Sequence, residues 1–175
     1  MNLNPITQIN LFEHKEIFNQ LCKLSINDNL PNKILLSGEK GIGKSTLAYH
    51  LINFELSKNE EYPYDYENNK INPENKSYKL ILNKSNPNFY LIDVLEEKKN
   101  IDINQIRELI INLNKSSFNN KKRFVLIDNI ELLNTNSINA LLKVLEEPNE
   151  NINFILIHNN KKILPTLLSR CINFK

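Results

Sequence analysis

Residues 38–45 read Gly-Glu-Lys-Gly-Ile-Gly-Lys-Ser, a complete G-x-x-x-x-G-K-[ST] pattern. Residues of these types at this spacing bind phosphate. The glycines let backbone N–H groups turn inward around phosphate oxygens, and a helix starting behind them adds its partial positive charge. Lys44 is expected to reach the β- and γ-phosphates, and Ser45 to ligate Mg²⁺. The context fits. Ile34-Leu35-Leu36 ahead of the pattern reads as a buried strand, and Thr46-Leu47-Ala48-Tyr49-His50-Leu51-Ile52 behind it as a helix. Gly38, Gly41, Ile42, Gly43, Lys44, Ser45 and Thr46 are therefore the candidate nucleotide-binding residues, with ATP or ADP and Mg²⁺ as the expected ligands. The bland alternative is an ordinary glycine-rich turn from strand to helix.

A second chemical position follows the apolar run Phe124-Val125-Leu126-Ile127, which ends in Asp128. A carboxylate there would hold Mg²⁺, usually through water, opposite Ser45. An aspartate at a strand end also serves as a turn residue. Asn129 comes next, where hydrolytic enzymes with such a loop usually carry a glutamate that activates water. An amide cannot accept that proton. Glu131 lies two residues on and need not point the same way. The pattern predicts nucleotide binding with weak or absent hydrolysis.

The elements that must position these residues alternate. Helical spacing covers 12–24 through Phe12, Ile17, Leu21 and Leu24. A strand at 34–37 and a loop-following helix to about Leu56 come next. Residues 57–76 are polar and hold Pro63, Pro73 and three tyrosines; they read as mobile and metal-free. A short helix at 77–82 and a strand at 89–92 follow. Asp102 opens a helix with Gln105 three positions on, as in a capping box, and Ile103, Ile106, Leu109, Ile110 and Leu113 form its stripe. Strand 124–127, helix 136–147 stopped by Pro148, strand 154–157, a short helix opened by Pro165, and a strand over 171–174 complete the pass. Apolar strands alternating with helices imply a three-layer α/β domain around a parallel five-stranded sheet. Ligands in such sheets bind at the carboxyl ends of the strands.

Composition narrows the class. The 175 residues are read as one domain, 41% hydrophobic and 24% charged. The net charge of +2 is too small to argue for nucleic acid on electrostatics alone. No apolar stretch is long enough to span a membrane, so no membrane partner is expected. Met1-Asn2-Leu3-Asn4-Pro5 has neither a basic n-region nor an apolar h-region. Cys22 and Cys171 are accordingly expected as reduced thiols in a cytoplasmic protein.

Several segments together resemble the AAA+ clamp-loader subunits of bacterial DNA polymerase III. They are the loop 38–45; Asp102-Ile103-Asn104-Gln105-Ile106-Arg107-Glu108-Leu109; residues 125–134; Asn139-Ala140-Leu141-Leu142-Lys143-Val144-Leu145-Glu146-Glu147-Pro148; and Ser169-Arg170-Cys171. Within the group the delta-prime type matches best. The resemblance implies a subunit of a hetero-oligomeric ring that meets a sliding clamp and primer-template DNA through the assembled complex. It implies that Arg170 acts as an arginine finger on ATP bound to a neighbouring subunit, and that His158 occupies the sensor-1 position, where Thr or Asn is commoner.

Two departures stand out. Many such subunits carry a four-cysteine zinc module after the loop helix, whereas residues 57–88 contain no cysteine and cannot form it. This insert is expected to replace the module, with no zinc bound. The family also continues into a helical lid and an oligomerising collar, so this chain, ending at Lys175, is expected to be the AAA+ domain over 1–175 without them. Lys121-Lys122-Arg123 reads as a solvated basic turn, the tyrosines at 62, 64 and 66 as local packing, and Glu146-Glu147 as structural or interfacial. Three functions remain: a delta-prime-like subunit with weak ATPase activity of its own, a hydrolytically active gamma-like subunit, and a nucleotide-independent scaffold.

Overall fold

The computed structural model describes residues 4–95, 98–115, 121–146, 151–159 and 165–175. In chain order the elements are α1 (Lys15–Ile26), β1 (Lys33–Ser37), α2 (Lys44–Ser57), α3 (Lys76–Leu82), β2 (Phe89–Ile92), α4 (Ile103–Leu113), β3 (Arg123–Ile127), α5 (Thr135–Glu146), β4 (Ile152–His158), α6 (Pro165–Leu168) and β5 (Ile172–Phe174). They fall into two compact units. One comprises Met1–Pro31 with Gly41–Pro87, the other Asn32–Lys40 with Asn88–Lys175.

The second unit carries the sheet. Its five strands run in the order β2-β3-β4-β1-β5, every pair parallel. The expected α/β class with a parallel five-stranded sheet is therefore what the chain builds. Leu35, Val125, Ile127, Phe154 and Leu156 face a core shared with Ile106, Leu109 and Leu113 of α4 and Leu141 and Leu145 of α5. The alternate residues Ile34, Leu36, Phe124, Leu126, Ile155 and Ile157 are buried as well. Both faces of the inner strands are out of water, which is why those strands read as unbroken apolar runs. The register Ser37 to His158, Ile127 to Leu156 and Ile92 to Ile127 brings the carboxyl ends of β1, β2, β3 and β4 to one edge.

α4 starts where its sequence dictates. The Asp102 side chain accepts from the Asn104 N–H at 3.0 Å, and the Gln105 side chain accepts the Asp102 N–H at 3.0 Å, closing the capping box. Its other end corrects the reading of Lys121-Lys122-Arg123 as a merely solvated turn. Arg123 is buried, and its guanidinium donates to the carbonyls of Lys115 at 3.1 Å and Asn112 at 3.4 Å. A cation there adds a charged donor to carbonyls at the end of α4 and just beyond it, where the helix dipole favours positive charge.

In the first unit α2 is packed by α1 and α3. α1 begins at Lys15, later than the apolar spacing suggested, because His14 at its start takes a left-handed backbone with φ 61°. The expectation of a mobile 57–76 segment is overturned. Tyr64 and Ile71 are buried. Leu11 N–H donates to Asn69 O at 3.0 Å and Ile71 N–H to Ile9 O at 2.8 Å, so the segment is stitched to the N-terminal residues. Asn75 donates to Tyr62 O at 2.9 Å while its Oδ1 accepts from Asn53 of α2 at 3.1 Å. A polar composition failed to predict this order because two of its few apolar side chains, Tyr64 and Ile71, are buried against partners elsewhere in the chain. Phe18 of α1 gathers the rings of Tyr64, Tyr66, His50 and Phe54 around itself, and polar side chains satisfy the backbone.

Candidate functional site

The phosphate-binding pattern begins where β1 ends, with Gly38–Lys40 in the sheet unit and Gly41–Ser45 in the helical unit. Two of its glycines are required by backbone geometry. Gly41 has φ +88° and Gly43 φ +96°, the left-handed region in which a side chain is strained. Gly43 is the residue before α2, so its turn aims the first N–H groups of that helix out of the loop. Lys44, the first helical residue, is buried, and Ser45 and Thr46 follow half-buried in the same turn. Ile42 stands exposed between the two glycines.

The helix behind the loop is held hard. α2 is buried nearly all round, as a helix inside a core must be. His50 lies within it, fully buried. Its Nε2–H donates to Gln8 O at 3.1 Å, and the Tyr64 hydroxyl donates to its Nδ1 at 2.7 Å. Burial lowers the imidazole pKa to about 4, against the favourable pull of the Gln8 carbonyl. Nothing in the sequence marked His14, yet its Nε2–H donates to the Ile42 carbonyl at 2.6 Å and its ring lies against Gly43. The imidazole braces the loop from the start of α1.

At the carboxyl edge of the sheet, Asp128 directly follows β3 and its N–H donates to Ile92 O at 2.9 Å. Asn129 follows with φ 55°, a left-handed position that asparagine tolerates and glutamate does not favour. Both ends of its amide are engaged. The Nδ2 donates to Asp93 Oδ1 at 2.9 Å, and Oδ1 accepts from Asn159 Nδ2 at 2.9 Å. Asn159 in turn donates to both oxygens of Glu131, at 3.1 Å from the side chain and 3.3 Å from the backbone. Asp93, Asn129, Glu131 and Asn159 thus tie together the residues that follow β2, β3 and β4. The sequence pointed to Asn129 as a lost base; the structure gives it a positive task as a cross-link. Asp93 and Asn159 were missed, since an aspartate or asparagine after a strand is indistinguishable from a turn residue.

His158 ends β4 opposite Ser37, the residue before Gly38. It is buried, and its Nε2 has no hydrogen-bond partner among the described residues. Buried polar atoms are nearly always paired, so an unsatisfied nitrogen here is unusual. Arg170 follows α6. Its Nη1 donates to Thr166 O at 2.8 Å, and its Nη2 to Glu146 Oε1 at the end of α5. The two most distinctive motifs of the second half, around Glu146 and around Arg170, therefore touch. Glu147 and Pro148 lie outside the described residues. Cys22 and Cys171 are free thiols, both with pKa raised by burial, to about 12 and about 11.

Sheet order, loop and flanking helix define an α/β fold of the P-loop AAA+ class. A solved gamma subunit-related protein of DNA polymerase III from Thermotoga maritima shares this fold with a TM-score of 0.63 and 24% identity, over 89% of this chain and 45% of that one. The family described as DNA polymerase III, delta subunit, matches residues 13–175, and the chain belongs to it. The delta-prime subunit of DNA polymerase III from Pseudomonas aeruginosa is 32% identical over 139 residues, 79% of this chain and 40% of its own length. The gamma subunit from Buchnera aphidicola is 31% identical over 144 residues, 81% of this chain and 37% of its own length. The chain thus spans about two-fifths of the length of these two relatives.

Proposed function

We propose that this chain is the nucleotide-binding-type domain of a delta-prime-like clamp-loader subunit. It binds ATP or ADP with Mg²⁺, hydrolyses little by itself, and donates Arg170 to nucleotide on a neighbouring subunit in a hetero-oligomeric ring. The residues fit the nucleotide. Gly41 and Gly43 adopt the backbone that lets N–H groups face phosphate, and α2 begins at Lys44. Lys44 would meet the phosphates and Ser45 the Mg²⁺, and the ion would neutralise phosphate charge.

The observation that carries the delta-prime reading is Asn129. Its amide is used on both sides by Asp93 and Asn159, so the position where a hydrolytic subunit would hold a base is a structural joint. A general base typically contributes about 10²–10⁴-fold and an arginine finger about 10³–10⁵-fold, so a chain lacking both works near background. Titration of Mg-ATP followed by turnover on the same sample tests this. Binding without turnover is expected, and robust hydrolysis by the isolated chain defeats the reading. A gamma-like active subunit is the second reading, favoured by the complete Gly38–Ser45 loop and by similarity to gamma subunits. The scaffold reading needs the chain to bind no nucleotide, and the same titration decides it.

A further inference from the structure

We infer that Glu146 is the positioning residue for Arg170: its carboxylate sets the direction of the guanidinium before a phosphate arrives, then gives up one nitrogen to that phosphate. This rests on the reading of Arg170 as a group donated in trans. The guanidinium is planar, so fixing its two Nη atoms fixes its plane and aim. Nη1 is held by the Thr166 carbonyl at 2.8 Å, the open end of α6, and Nη2 by Glu146. Both anchors sit beside buried residues. Leu145, beside Glu146, and Leu167, one residue after Thr166, are buried in the same core.

Glu146 stands where its own helix does not favour it. It is the last described residue of α5 and stands two residues before Pro148, close to the helix C-terminus, where the dipole disfavours an anion. Its partner, and not helix preference, gives it a purpose. The pair is also shallow, with side-chain exposures of 51% for Glu146 and 29% for Arg170. Ion pairs at such depth add little to stability, so stabilising the fold is a poor explanation for this one. The same shallowness makes it exchangeable. A transferring γ-phosphoryl group offers more negative charge than one carboxylate and takes a charge-assisted hydrogen bond, so Nη2 can move across while Nη1 stays on Thr166.

The test uses the full-length protein reconstituted with its partner subunits, reading ATP turnover and complex assembly together. Glu146→Ala should lower kcat roughly tenfold to a hundredfold, the cost of a misdirected group, with KM for ATP unchanged. Glu146→Gln, which still accepts the N–H, should restore most of it. The double variant with Arg170→Ala should be no slower than Arg170→Ala alone. Full activity of Glu146→Ala in the assembled complex, or a loss that multiplies with that of Arg170→Ala, overturns the proposal. Should the alanine variant fail to assemble, Glu146→Asp serves instead, since the shorter arm draws back from Nη2; unchanged kcat there overturns it equally. An inert Arg170→Ala would defeat the trans reading itself, whereas an impaired Arg170→Ala with an unimpaired Glu146→Ala defeats only the role of Glu146.

Discussion

The loop ahead of α2 and the turn behind α6 are both proposed to meet phosphate, and they are built on opposite principles. The loop works through backbone. Gly41 and Gly43 supply left-handed turns, α2 supplies its N-terminus, and few side chains are needed to define the shape. The turn works through one side chain. Arg170 has no preset backbone cradle, and its aim depends on Thr166 and on Glu146, 24 residues earlier in the chain. A backbone site announces itself as a motif, because only glycine tolerates the turns. A side-chain site announces only that an arginine is present.

The largest effect should fall on the side-chain site. In the assembled complex, Arg170→Ala should lower turnover at its interface by about 10³–10⁵-fold, leaving this chain's own nucleotide affinity unchanged. Arg170→Lys should fail nearly as badly, since an ammonium lacks the planar pair of nitrogens that lets one stay on Thr166 O while the other meets phosphate. Single-interface ATPase measurements check both, and equal rates for wild type and Arg170→Ala would leave the arginine as a mere cap on α6.

Acid should separate the two units next. His50 holds a folded pKa near 4 against an ordinary 6.5, so the unfolded state binds the extra proton first. Stability therefore falls as pH drops from about 6.5 to 4, by up to about 3 kcal/mol for a shift of this size. Above pH 6.5 the contribution is complete. In the other unit, the Asp102 carboxyl at the start of α4 is held below its usual range by the Asn104 N–H and by Lys98. Its contribution is lost only at still lower pH. Amide exchange across pH 7 to 4 should show α2 loosening before α4. Simultaneous loosening would mean that His50 does not govern the helix behind the loop.

For the backbone site, Lys44→Ala should weaken Mg-ATP binding about tenfold to a hundredfold, the value of charge-assisted hydrogen bonds to phosphate. Calorimetric titration gives the number, and unchanged affinity removes the loop from the site. The smallest effect belongs to the cross-link. Asn129→Glu places a carboxylate beside Asp93 in a left-handed backbone, at about 1–2 kcal/mol in denaturant unfolding. It should recover no hydrolysis. Asn129→Gly, which keeps the backbone at ease, should cost less than Asn129→Glu. The reverse order would show that the amide contacts outweigh the conformation.

Much of the fold follows from local sequence. Unbroken apolar runs at 34–36, 124–127 and 154–157 specify buried strands, because only a strand covered on both faces avoids polar alternation. Asp102 with Gln105 specifies the start of α4, since the capping box is made by residues three apart. Gly41 and Gly43 specify the loop, because its left-handed backbone is strained for other residues.

Tertiary structure alone decided the rest, wherever a residue's role is set by a partner distant in the chain. Residues 57–76 look disordered by composition, but Phe18, Asn53, Ile9 and Leu11 supply partners that order them. Arg123 looks like the end of a solvated basic turn, yet it is buried because α4 ends beside it. Asn129 reads as a deletion of function, and only the folded chain, bringing Asp93 and Asn159 to the same strand edge, shows it as a joint. Hydrophobic periodicity and turn chemistry act over a few residues and are written in order along the chain. Hydrogen bonds between separate strand ends and helix ends exist only once the sheet has set their register.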